Sequence, residues 1–147
     1  ALSQLIYCSR SGAYSWTRET LAETADDYSG TDGGHFTGLY PKLAMDGNGG
    51  AHIIFSDLAS SHVNGYETAV VGQIRYAANA GSGWTLATLY RQSAAAGDQV
   101  WDKYLLVSSD GLGMDVVAEV VPSVGSYIVH FSSSRQQSLT WATPTTQ

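Results

Sequence analysis

The chain has 147 residues, 44% of them apolar and only 14% charged, enough to bury the core of one domain and too apolar for a disordered segment. Seven basic residues stand against thirteen acidic ones, a net charge of -6, so the clustered cations that nucleic acid or an anionic membrane surface needs are missing and neither is expected as a partner. No apolar run approaches the roughly 18–20 residues that cross a bilayer, residues 1–10 lack the basic start and apolar stretch of a secretion signal, and the single cysteine, Cys8, excludes an internal disulfide and a cysteine-based zinc site.

Taken in order, the chain reads as short β-branched or aromatic runs separated by Gly, Asn, Asp and Ser, with no sustained helical period. Leu5–Arg10 and Trp16–Glu23 flank the turn Ser11-Gly12-Ala13, and Cys8, inside the first of these runs, is expected to be a buried thiol. A long connection, Thr24–Pro41, leads to Lys42–Asp46 and Ala51–Asp57, which flank Gly47-Asn48-Gly49-Gly50. A second long connection, Leu58–Gly72, precedes the pair Gln73–Ala78 and Gly83–Tyr90, and a third, Arg91–Asp102, precedes Tyr104–Ser108 and Met114–Val121 around Asp110-Gly111-Leu112-Gly113. Ser126–Phe131 and Ser138–Thr143 close the series. The expected class is all-β.

Internal repetition turns this series into an architecture. Leu5-Ile6-Tyr7-Cys8 resembles Ile74-Arg75-Tyr76-Ala77, and Trp16-Thr17 resembles Trp84-Thr85 at nearly the same offset. Asp46-Gly47-Asn48-Gly49 recurs as Asp110-Gly111-Leu112-Gly113 at a slightly shorter one. A unit of about 65 residues accommodates four short antiparallel strands and favours a β-propeller over a sandwich. The middle unit also resembles bacterial propeller repeats in which an apolar strand ending Asp-x-x-Gly leads to His-Ile-x-Phe, followed by Leu-x-Tyr-Ala and Gly-x-Trp. The residues that carry this resemblance are Leu43–Gly49, His52-Ile53-Ile54-Phe55, Ile74-Arg75-Tyr76-Ala77 and Gly83-Trp84. The expected organisation is a partial propeller of about two to two and a half units: residues 1–23 the second half of one, 42–90 a complete one, and 103–147 a further one. In the last unit Val116-Val117-Ala118 replaces the His-Ile-x-Phe stretch, and Leu139–Thr143 is expected as the fourth strand after Tyr127–Phe131.

In such a meander the tight turns gather on one side and the long connections on the other. Long loops on a rigid scaffold are where binding residues concentrate, so Asp26, Asp27, Tyr28, Asp32, His35, Phe36, Tyr40, His62, Tyr66, Trp101 and Asp102 are the residues to weigh. The expected ligand site is Asp32, His35, Tyr40, His62, Tyr66, Trp101 and Asp102, because rings beside carboxylates suit a sugar, whose C–H face stacks while its hydroxyls bond to side-chain oxygens. The alternative for Tyr40 and Trp101 is packing between units. Trp16 and Trp84 share one repeat position and are expected in the core, as is Trp141; His52 follows a strand pattern and is expected to hold a structural hydrogen bond.

His35 near Asp32, with His62 on the same side, would permit a general acid and base pair. No Ser-x-Asp-x-Gly-x-Thr-Trp box or arginine triad supports a sialidase-type activity. Asp46–Gly50 begins like a calcium loop but lacks the closing acidic ligand, and Gly47-Asn48-Gly49 lacks the helix and Lys of a phosphate cradle, so no metal and no cofactor is expected. The leading expectation is a non-enzymatic carbohydrate- or other ligand-binding propeller module, extracellular or periplasmic. Its ring would be completed by identical chains or by the rest of a larger propeller. A polysaccharide hydrolase or lyase and a structural interaction module are the alternatives.

Overall fold

The computed structural model describes residues 2–25, 32–63, 66–79, 83–91, 99–107, 113–121, 127–133 and 145–146, and every regular element among them is a β-strand. β1 (Leu2–Arg10) and β2 (Trp16–Ala25) form a two-stranded sheet. β3 (Asp32–Met45), β4 (Ala51–Val63), β5 (Tyr66–Asn79) and β6 (Trp84–Arg91) form a second sheet in sequence order. β7 (Gln99–Val107), β8 (Met114–Val121), β9 (Tyr127–Ser133) and β10 (Thr145–Thr146) form a third, also in sequence order. Every pairing is antiparallel, as short hairpin connections require.

Side-chain alternation places the core on both faces of the middle sheet. In register, Ile54 opposes Tyr76, His52 opposes Ala78 and Ser56 opposes Ile74, all on one face, while Ile53 opposes Ala77 on the other. Ile54, Phe55, Ile74, Tyr76 and Ala77 are all 0% exposed, so the central strands β4 and β5 are covered on both faces here. Its first face packs on Met114, Val116 and Ala118 of β8, with Leu105 of β7 alongside. Its second packs on Leu5 of β1, with Tyr7, Leu21, Ala22 and Trp84 around the contact. The three sheets therefore lie face against face in the order of the chain.

Several expectations are corrected here. Many residues expected in long connections are strand: β3 begins at Asp32, ten residues before Lys42; β4 runs to Val63 and β5 begins at Tyr66; and β7 begins at Gln99. The middle hairpin pairs as far as Val63 opposite Tyr66, and only Asn64-Gly65 separates the two in sequence, the strongest short hairpin signal. β3 accommodates its glycines and Pro41 through three register shifts rather than by ceasing to pair. The expected strand Leu139–Thr143, and Trp141 with it, lie outside the described residues, as do Asp26, Asp27 and Tyr28; the fourth strand described in the third sheet is Thr145–Thr146, which pairs with His130 and Val129.

Two expected core residues are exposed. Trp84 is half-buried, its ring edge-on to Tyr7 with centroids 4.8 Å apart, whereas Trp16 at the equivalent position is 64% exposed. Cys8 is exposed while its counterpart Ala77 is buried. The cause is common to both: Trp84 and Ala77 face the preceding sheet, and β1–β2 has no such layer against it among the described residues.

Candidate functional site

The turn that opens β4 is organised by Asp46. Its Oδ1 accepts the backbone N–H of Asn48 at 2.8 Å and of Gly50 at 2.7 Å, while the Asp46 N–H donates to the Gly50 carbonyl at 2.9 Å and its carbonyl accepts from Gly49 at 3.2 Å. This is an aspartate-headed turn of the kind short polar side chains favour. Gly49 takes a φ of 83°, and a Cβ on Gly50 would sit 2.5 Å from the Asp46 Oδ2, so the turn needs both glycines. Oδ2 faces His52 Nε2 at 3.1 Å, and His52 Nδ1 lies 2.5 Å from the Tyr76 hydroxyl, which in turn meets the Met114 sulfur.

The chemistry of this chain of contacts follows from its donors. An ionised Asp46 can only accept, so Nε2 carries a hydrogen and a neutral His52 receives the Tyr76 hydroxyl hydrogen at Nδ1. The Tyr76 hydroxyl has one hydrogen to share between His52 Nδ1 and Met114 Sδ. The bonds from His52 and the Gly50 amide hold the Asp46 carboxyl below the usual carboxylate range, and burial, with the charge of Asp46 second, pushes the Tyr76 hydroxyl well above its ordinary value. His52 is 4% exposed and Tyr76 0%, so these groups are sealed from solvent. The expected structural role of His52 is what the geometry gives, and the Asp-x-x-Gly, His-Ile and Tyr-Ala segments converge through these three side chains.

A second polar cluster ties the first two sheets together. Ser3 Oγ donates to the Thr37 carbonyl at 2.8 Å and accepts the Thr37 N–H at 3.0 Å. Thr37 Oγ1 donates to Asp57, whose other oxygen receives Arg75 Nη1 at 3.0 Å, and the Arg75 guanidinium lies 5.5 Å from the Phe55 ring centre. Among the described residues no group of three His, Cys, Asp or Glu could hold a metal. The chain matches no known protein family, no curated protein and no solved structure.

The expected site residues fall at distinct places on the strands. Asp32 opposes Ser61, beside His62, and Tyr66 opposes Val63, so these three share the Val63–Tyr66 end of the middle sheet; His35 opposes Ala59. Tyr40 is 48% exposed at a φ of 49°, a backbone region aromatic residues rarely occupy. Tyr40 and Pro41 together oppose one residue, Phe55, in a bulge between Leu39 and Lys42. Trp101 and Asp102 oppose Glu119 alone in a bulge between Val100 and Lys103. The facing residues of the two bulges, Phe55 and Glu119, are separated by one repeat of the sequence, so one device occurs in both four-stranded sheets.

The tight-turn side, expected to offer little for binding, carries a concavity of about 410 Å³ between successive turns. Tyr7, Asp46, Asn48, Gly49, Gly50, Ala51, Asn79 and Gly83 line it, with Gly83 at a φ of 109°. Its walls come from three hairpins, and no single segment announces it; the signal available was that Tyr7 and Asn79 flank turns that the repeat places side by side.

Proposed function

We propose that the chain is a carbohydrate- or other hydroxylated-ligand-binding module of β-propeller type that acts by binding rather than catalysis. The observation that carries this reading is the concavity at the tight-turn side, lined by Tyr7, Asp46, Asn48, Asn79 and the turn glycines. A carboxylate and two asparagines beside one aromatic ring suit the hydroxyls and C–H face of a sugar. His52 and Tyr76 are buried and bonded to each other, and the Asp46 carboxylate is held by His52 Nε2 and by the Asn48 and Gly50 amides. The propeller reading is supported by three sheets stacked in chain order on alternate faces of the middle one. Completion of the ring by further strands, and an extracellular or periplasmic location, belong to the same proposal.

A hydrolase or lyase reading draws on one observation, the pairing of Asp32 with Ser61, the residue before His62. A glycan array of wild type, Tyr7→Ala and Trp101→Ala, followed by an assay for released reducing ends on every glycan bound, tests both. Binding lost in Tyr7→Ala with no sugar released is the expected result. A folded wild type that binds no glycan sinks the leading reading, and release that disappears in His62→Ala would favour the enzyme.

A further inference from the structure

The concavity has a filled counterpart elsewhere in the molecule. Lys42 and Lys103 each follow a bulge and pair with Ile54 and Ala118, and the same spacing along the chain sets Gly50 against Met114. Tyr7 and Tyr76 correspond through Leu5-Ile6-Tyr7-Cys8 and Ile74-Arg75-Tyr76-Ala77. Between the second and third sheets the Tyr76 hydroxyl meets the sulfur of Met114, a buried side chain. Between the first and second sheets the corresponding pair is Tyr7 and Gly50, and both line the concavity. The space that a methionine side chain occupies in one contact is open in the other.

Gly50 keeps it open. A Cβ on this residue would lie 2.5 Å from Asp46 Oδ2 and 3.1 Å from the Asn79 carbonyl oxygen, and Asp46 and Asn79 are walls of the same concavity. The Asp46 N–H donates to the Gly50 carbonyl across the turn, whereas the residue opposite Met114 is Val107. The open place is therefore bordered by a carboxylate and a carbonyl, which call for a donor, and by a tyrosine whose counterpart hydroxyl donates to a thioether, which calls for an acceptor. The counterpart side chain ends in a methyl group. Asp46 is the one charged residue among those lining the concavity, and it disfavours an acidic sugar.

We infer that the concavity takes the acetamido group of an N-acetylated sugar. The amide N–H faces Asp46 and the Asn79 carbonyl, the amide oxygen accepts from the Tyr7 hydroxyl, and the methyl group lies where the end of Met114 lies in the next contact. Gly50 is then the residue that sets specificity. A free amine brings no acceptor and no methyl group, and a plain hydroxyl brings no methyl group, so each leaves part of the site unmatched. The inference deepens the sugar-binding reading and rests on it.

Saturation-transfer NMR of the whole chain with N-acetylglucosamine, N-acetylgalactosamine, glucosamine and glucose tests the class. The acetamido methyl should receive the strongest transfer, and an N-acetylated sugar should bind about tenfold more tightly than glucosamine or glucose. Tyr7→Phe, which removes one hydroxyl and keeps the ring, should lower that affinity about fivefold. Gly50→Ala should abolish binding; if its turn fails to form, Tyr7→Phe with the wild-type circular dichroism decides. Equal transfer to glucose that is lost in Tyr7→Ala overturns the acetamido class while leaving a sugar site in place. Strongest transfer to ring protons, or an unaffected Tyr7→Phe, also overturns it. No transfer to any of the four sugars by a folded wild type overturns this inference and the sugar reading together.

Discussion

Asp46 holds two backbone amides and one imidazole with a single carboxylate, and the sign of its contribution to stability follows from that. Its folded-state pKa is lowered, chiefly by the His52 bond. The stabilisation is therefore complete above about pH 4, the ordinary carboxylate range, and is lost as the pH falls through the lowered folded-state value. Urea midpoints measured from neutral pH down into this acid range should fall for the wild type, and Asp46→Asn should be less stable at neutral pH with a flatter acid limb. An acid limb of unchanged steepness in Asp46→Asn would show that other carboxylates set it. The turn and the structural role of His52 were legible in Asp46–His52 because both follow from local spacing. The partnership with Tyr76 depends on pairing 24 residues away, and no local pattern encodes it.

At the level of elements, β3 shows why strands read as loops. Gly33, Gly34, Gly38 and Pro41 are breakers in a local reading, yet β4 supplies a template long enough to keep β3 paired through its bulges. Gly38 has a specific reason to be glycine: its φ is 75° and an added Cβ would lie 2.9 Å from the Leu5 Cβ. Gly38→Ala should cost about 1–3 kcal/mol, whereas Gly12→Ala, whose new Cβ would meet nothing closer than 3.8 Å, should fall within about 0.5 kcal/mol of wild type. Chemical denaturation of the pair tests this, and equal effects would remove the close approach of β3 to β1 as the cause. The β4–β5 extension escaped notice for a different reason. Its flanks Ser60-Ser61-His62 and Glu67-Thr68 are polar, so the Asn64-Gly65 signal was not bracketed by the alternation that identifies strands.

Across the whole molecule, the sheets follow the order of the chain, and the two four-stranded ones carry a bulge facing residues 64 apart, Phe55 and Glu119. What a repeat cannot disclose is whether a given layer has a neighbour on each side, and this explains why Trp16 and Cys8 are exposed where Trp84 and Ala77 are covered. The cavity was hidden for a related reason, since its walls belong to successive layers. The two indoles thus occupy one structural position in opposite surroundings, and the molecule carries a built-in optical gauge. Subtracting the fluorescence of Trp16→Phe from that of the wild type should isolate the long-wavelength emission of a hydrated ring, while Trp84→Phe should isolate a bluer component. Coincident difference spectra for the chain alone would mean that Trp16 is already shielded in solution, and a blue shift confined to the Trp16 component would report the moment another layer settles on the outward face of the first sheet.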